Sequence, residues 1–227
     1  MKNIKTAWIA LFVLIAALGG KIFAADTSPP NILFIYTDDQ TYKTVSCYPE
    51  APDWVHTPNI DRLAARGIRF ERCYPGAWCM PSRASALTGR FQHAVESMTL
   101  EGSYPSSTYD PAQCPFLPAE LRRHGYHTAQ IGKWHTGADA GYGRDWDFQM
   151  VWNRPLHPEN SGHYFTDQII AVNGKERRVG GYATDNYTDW AVDYIRGEHR
   201  DSDKPWYLWL CYTAPHGPTT PAGRHLT

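Results

Sequence analysis

Short unbroken apolar runs alternate along the chain with amphipathic stretches, and polar or aromatic-rich connections separate them. Residues 31 to 36, NILFIY, form a continuous apolar run of the kind seen in a strand buried on both faces. A helix is predicted to follow Thr57 as N-cap, with Pro58 at its first position and Asp61 in its first turn. Ile60, Leu63 and Ala64 share its apolar face, and Gly67 ends it. Ile68 to Phe70 opens a further extended piece. A short helix over residues 117 to 124 closes at Gly125, and residues 126 to 132 give the next strand. Residues 184 to about 199 read as an amphipathic helix with Trp190, Ala191, Tyr194 and Ile195 on one side. Residues 205 to 212, PWYLWLCY, form the most apolar strand after the first. Residues 91 to 115 and 141 to 181 show no periodicity and read as irregular. Strand–helix–strand order of this kind predicts an α/β fold.

At 227 residues the chain can hold one sizeable core or at most two small domains. A formal net charge of -1 gives no global attraction to nucleic acid, and no repeat or low-complexity tract is visible. The first residues change the picture more. Lys2 and Lys5 precede an unbroken apolar run from residue 7 to 18, shorter than the ~20 residues of a membrane span. Ala24-Ala25 offers a cleavage edge before Asp26. Residues 1 to 25 are therefore expected to be a signal peptide, with export to a periplasm or the exterior, no stable membrane span, and a single domain over residues 26 to 227. Five cysteines are an odd number for an exported protein; setting Cys79 aside leaves Cys47, Cys73, Cys114 and Cys211.

Candidate chemistry gathers at four places. In Cys79-Met80-Pro81-Ser82-Arg83, Pro81 suits the first position of a short helix that Gly89 would end. Cys79 would then lie at a helix N-terminus, where unpaired N–H groups favour an anion, with Arg83 one turn in. A buried structural cysteine beside an ordinary capped helix fits the spacing equally well. Asp38 and Asp39, at the carboxyl end of the first strand, would repel each other unless a cation sat between them; a polar turn is the alternative. Lys133 and His135, two apart after a strand, would point to one side on extended chain and could hold an anionic ester and move a proton. His216 follows the last strand. His157 and His163 lack metal-ligand spacing and read as loop residues. Asn186-Tyr187-Thr188 matches a glycosylation sequon, discounted because it lies in a predicted helix.

The stretch C-x-P-S-R followed by L-T-G-R resembles the signature of the type I, formylglycine-dependent sulfatases. Asp38-Asp39-Gln40, T-P-N-I-D-R-L-A, G-K-W-H-T-G and Ala214-Pro215-His216 resemble further motifs of that family. The resemblance implies an alkaline-phosphatase-like α/β fold, a mixed, largely parallel sheet between helices, truncated at the C-terminal side. It implies that Cys79 is oxidised to formylglycine by a formylglycine-generating enzyme, and that Asp38, Asp39 and residue 79 hold calcium, or magnesium. It further implies that Arg83 and Lys133 offset charge on the sulfate, that His135 takes a proton from the formylglycine hydrate, and that His216 assists the leaving alcohol. The substrate class implied is a sulfated small molecule or glycan. The family's later Asp-Asn metal pair, second lysine and C-terminal subdomain are not recognisable. Asp185-Asn186 precedes A-P-H and is taken as a decoy, so the chain alone is expected to be inactive. A related phosphonate or phosphodiester hydrolase, and a non-catalytic glycan-binding protein, are the alternatives.

Overall fold

The computed structural model describes residues 28–95 and 115–217. The signal segment and Cys114 lie outside them, as does most of the expected loop over residues 91 to 115. A six-stranded sheet has the order β1-β6-β2-β3-β4-β5. Its strands are β1 (Ile32–Tyr36), β2 (His127–Lys133), β3 (Phe148–Trp152), β4 (Thr166–Val172), β5 (Lys175–Tyr182) and β6 (Trp206–Cys211). β1, β6, β2 and β3 run parallel, and β4 and β5 are antiparallel. Among the described residues four α-helices accompany them: α1 (Pro58–Arg66), α2 (Cys79–Thr88), α3 (Leu117–Arg123) and α4 (Ala183–Arg196).

β6 shows why the sheet is covered on both sides. Trp206, Leu208 and Leu210 enter a core with Ala183, Tyr187, Ala191 and Tyr194 of α4. Tyr207, Trp209 and Cys211 enter a second core with Leu87 of α2 and with Phe116, Ala119 and Leu121 at α3. The period of two along a strand sends successive side chains to opposite layers. An unbroken apolar run is therefore what a central parallel strand requires.

Three expectations change. β1 is half-buried on one face and exposed on the other. It ends the strand order, stacks Phe34 on Trp209 at 4.7 Å, and leaves Leu33 and Ile35 42% and 52% exposed. α1 forms where predicted, yet Ile60 and Leu63 stay 43% and 68% exposed, so its apolar stripe faces outward among the described residues. The segment from 141 to 181 is not irregular, because it carries β3, β4 and β5. β3 is buried on both faces and includes Gln149, whose side chain donates to Gln130 Oε1 at 3.0 Å and to the Ala140 carbonyl at 2.6 Å. β4 and β5 form a hairpin across Asn173-Gly174, both left-handed at φ 48° and 76°, the backbone a two-residue type I′ turn needs.

Candidate active site

The carboxyl ends of parallel strands lie on one side of a sheet, so β1, β2 and β6 deliver their following residues to a common place. Asp38 leaves β1 with its backbone N–H donating to the Ala214 carbonyl at 3.0 Å, which ties the first strand end to the last. Gly132 lets β2 close on β6: its φ is +94°, and a Cβ there would stand 2.0 Å from the Cys211 carbonyl oxygen. Only glycine tolerates both conditions.

Cys79 opens α2, with Trp78 as the N-cap in extended conformation. Pro81 is thus the third residue of the helix rather than the first. Gly89 ends it at φ 67°, as its left-handed cap. The loop before it lies flat on the helix start. Gly76 N–H donates to Ser82 Oγ at 2.9 Å, and a Cβ on Gly76 would come within 2.6 Å of the Ser82 nitrogen.

Arg83 and Lys133 are both fully buried. Lys133 Nζ donates to Asp38 Oδ2 and, at 3.7 Å, to Cys79 Sγ. Arg83 Nη2 lies 3.4 Å from Asp38 Oδ1, its Nη1 donates to the Lys133 carbonyl at 3.2 Å, and its guanidinium stands 4.9 Å over the Tyr36 ring. Two cations facing one buried carboxylate leave one positive charge in excess. Burial pushes the Asp38 carboxyl up, but Lys133 and Arg83 together hold it below the usual carboxylate range. Burial pulls the Lys133 ammonium down, and Asp38 opposes it only in part. Burial pushes the Cys79 thiol up, outweighing Lys133, and Asp38 adds to the rise. The residue at 79 is therefore a protonated thiol at neutral pH and a poor nucleophile as cysteine.

His135 does not continue β2. Its φ of 59° breaks the extended chain, so the same-side arrangement expected for Lys133 and His135 is replaced by a left-handed turn that buries the imidazole to 3% exposure. Burial, then Lys133 and Arg83, hold its pKa well below the ordinary histidine range, so the ring is neutral. His216 Nδ1 donates to the Gly217 carbonyl at 3.0 Å, since a carbonyl can only accept, and its Nε2 lies 3.6 Å from Asp39 Oδ2.

One ligand atom each from Asp38, Cys79 and His216 lies within 4.8 Å of the others. Asp39, expected beside Asp38, stands outside that trio with its side chain 52% exposed, at a left-handed φ of 63°. A cleft of about 400 Å³ opens here, lined by Tyr36, Asp38, Asp39, Trp78 and Cys79 among others. Asp185-Asn186 lies elsewhere, in the first turn of α4, where Asn186 Nδ2 donates to the Gly180 carbonyl at 2.9 Å. His157 is buried, 3.3 Å from Glu176. Cys47, Cys73, Cys79 and Cys211 are free thiols. Sequence reasoning missed Tyr36 under Arg83, and Tyr164 and Trp152 around Lys133. No spacing marks them, and two of the three fall in the stretch read as irregular.

The family profile described as Sulfatase matches residues 30–225. The chain belongs to the sulfatase family. Its sheet has the mixed, largely parallel arrangement of the alkaline-phosphatase-like fold. Among curated relatives it is 38% identical to an N-acetylglucosamine-6-O-sulfatase of Bacteroides thetaiotaomicron, over 88% of this chain and 33% of that protein. It is 31% identical to the human N-acetylglucosamine-6-sulfatase, over 96% of this chain and 40% of that one. A solved structure described as in complex with its substrate D-glucosamine-2-N,6-O-disulfate superposes with TM-score 0.70 at 36% identity, covering 87% of this chain and 37% of that chain. This sequence therefore spans between a third and two fifths of the length of the relatives named.

Proposed function

We propose that this chain carries the nucleophile and sulfate-binding part of an enzyme that hydrolyses sulfate esters on glucosamine-type sugars. The observation that carries the reading is the cluster of half-buried Cys79 with buried Asp38, Arg83 and Lys133, two cations to one carboxylate, in which Asp38 and Cys79 line an open cleft. A sulfate group brings negative charge and oxygen acceptors to such a place. The names of the sulfatases to which the chain is similar support the sugar class.

Conversion of Cys79 to formylglycine by a generating enzyme replaces an inert thiol with an aldehyde whose hydrate supplies an oxygen nucleophile. The donor set also suits a hard divalent cation such as calcium or magnesium as part of its shell. Asp38 brings a carboxylate to the trio, Asp39 is a second carboxylate beside it at the strand end, and oxygen would replace the Cys79 sulfur on conversion. When bound there, such a cation would polarise sulfate oxygens.

The protein's own groups perform the remaining tasks. Lys133 and Arg83 hold and neutralise negative charge on the ester oxygens without reorganising, since both are fixed by Asp38 and by packing. His216, whose Nε2 lies 3.6 Å from Asp39, gives a proton to the departing sugar oxygen. Neutral His135 accepts the proton released at residue 79. The amino-terminal segment directs the protein out of the cytoplasm, where sulfated glycans are met.

Release of inorganic sulfate from N-acetylglucosamine-6-sulfate tests the reading. The polypeptide assayed carries this sequence at its relatives' length and is co-expressed with a formylglycine-generating enzyme. Turnover is expected to drop at least a hundredfold in Lys133→Ala. Hydrolysis of a phosphate ester in preference to the sulfate ester, with residue 79 converted, would overturn it.

A further inference from the structure

We propose that Tyr164 is a positioning residue that sets the place of both Lys133 and His216; the inference rests on the sulfatase reading above for its consequences, and on geometry for its content. Tyr164 is 1% exposed, and its ring is shared by the two side chains. The His216 imidazole stacks on it with centroids 4.3 Å apart and planes at 22°. The Lys133 ammonium lies 5.0 Å from the same centroid. Trp152 supports the arrangement, 4.8 Å from Tyr164 and 5.6 Å from Lys133 Nζ.

The ring is held by both of its ends. Its hydroxyl accepts a hydrogen bond from Arg154 Nη1 at 3.2 Å. Its backbone carbonyl accepts from Thr213 Oγ1 at 2.6 Å and from Gln168 Nε2 at 3.0 Å, and Gln168 Oε1 in turn accepts from the Tyr187 hydroxyl at 2.6 Å. Thr213 begins the turn that carries His216, whose N–H donates to the Thr213 carbonyl at 3.2 Å. One residue thus pins the turn through its backbone and faces both functional side chains through its ring. An aromatic face attracts a desolvated ammonium and keeps a flat imidazole parallel to itself. The Tyr164 ring adds to the hold that Asp38 already has on the Lys133 ammonium.

The test needs no turnover. In the purified 227-residue chain, the His216 ring protons are expected to resonate upfield of a free histidine because of the Tyr164 ring current. Tyr164→Phe keeps the ring and is expected to keep that displacement; Tyr164→Leu is expected to abolish it while the far-UV circular dichroism stays unchanged. Thr213→Val leaves the ring but removes the tie to the turn, and it is expected to reduce the displacement. It serves as the reading should the Leu variant fail to fold. Inorganic sulfate binding, measured by calorimetry, is expected to weaken about tenfold in Tyr164→Leu and less in Tyr164→Phe. Unchanged His216 resonances in folded Tyr164→Leu, or in Thr213→Val where that variant stands in, would overturn the proposal. A sulfate affinity that is absent in the parent chain, with the ring-current pattern intact, would count against the sulfatase reading and still uphold the positioning role.

Discussion

Replacing Lys133 by Met removes the ammonium from a carboxylate that is 2% exposed. Breaking a buried ion pair from one side costs about 3–5 kcal/mol, because the remaining charge is left without compensation. Here Arg83 stays 3.4 Å from the other Asp38 oxygen, so the expected loss for Lys133→Met is about 3 kcal/mol, the low end of that range. Asp38→Asn should cost about as much for the opposite reason, since it leaves Arg83 and Lys133 as two buried cations with no anion between them. The double variant retires both members of the Lys133–Asp38 pair. It is expected to be more stable than the sum of the two losses by about 1.5–3 kcal/mol. Urea unfolding followed by tryptophan fluorescence measures all four corners of the cycle, with an unchanged m-value as the check that only stability moved. Losses that add to within about 0.5 kcal/mol would show the pair to be uncoupled and would refute the charge arrangement described for the site.

Other expectations follow from single features. Gly132→Ala places a methyl 2.0 Å from the Cys211 carbonyl in a left-handed backbone, so the variant should be recovered unfolded or with β2 displaced from β6, as read by amide exchange along both strands. His135 and His127 are both held below their ordinary range, by burial first. As pH falls through about 6.5 the unfolded chain takes up protons that the folded rings refuse, so stability should decline on acidification from pH 7 to 5. His135→Asn should flatten that decline. Excess calcium should leave the calorimetric trace of the thiol form flat, because a thiol is a poor calcium ligand and Asp38 and Asp39 alone offer fewer oxygens than the ~6–8 that calcium takes.

Much of the fold was legible where one element meets its own requirements. The run at residues 205 to 212 is apolar because β6 is central and covered on both sides. The stripe of α4 was legible at Ala191 and Tyr194, which pack on the sheet with Tyr187, whereas Ile195, expected on the same side, is 38% exposed. Asp38, Lys133 and His216 converge because the parallel strands β1, β2 and β6 end on one side, and α2 brings Cys79 and Arg83 to them. Illegible parts depend on partners distant in sequence. β3 carries a buried glutamine, Gln149, whose side chain donates to Gln130 and Ala140, so its period looked broken. The Asn173-Gly174 turn was a readable hairpin signal, obscured by charged residues of the exposed strand that follows it, Lys175 to Arg178. Whether an apolar run is buried depends on what covers it, and the sequence of β1 does not distinguish its exposed Leu33 and Ile35 from core residues. The left-handed backbone at His135, and the ring of Tyr164 between Lys133 and His216, have no local pattern at all.

The central claim is that residue 79 acts as an aldehyde made from cysteine. Mass spectrometry of the peptide containing Cys79, after co-expression with a formylglycine-generating enzyme, tests this most directly. The expected result is loss of the thiol at position 79 and capture by an aldehyde-reactive probe, with Cys47, Cys73 and Cys211 left as thiols. An intact thiol at Cys79 in that host, in a preparation that still released sulfate from its ester, would contradict the account.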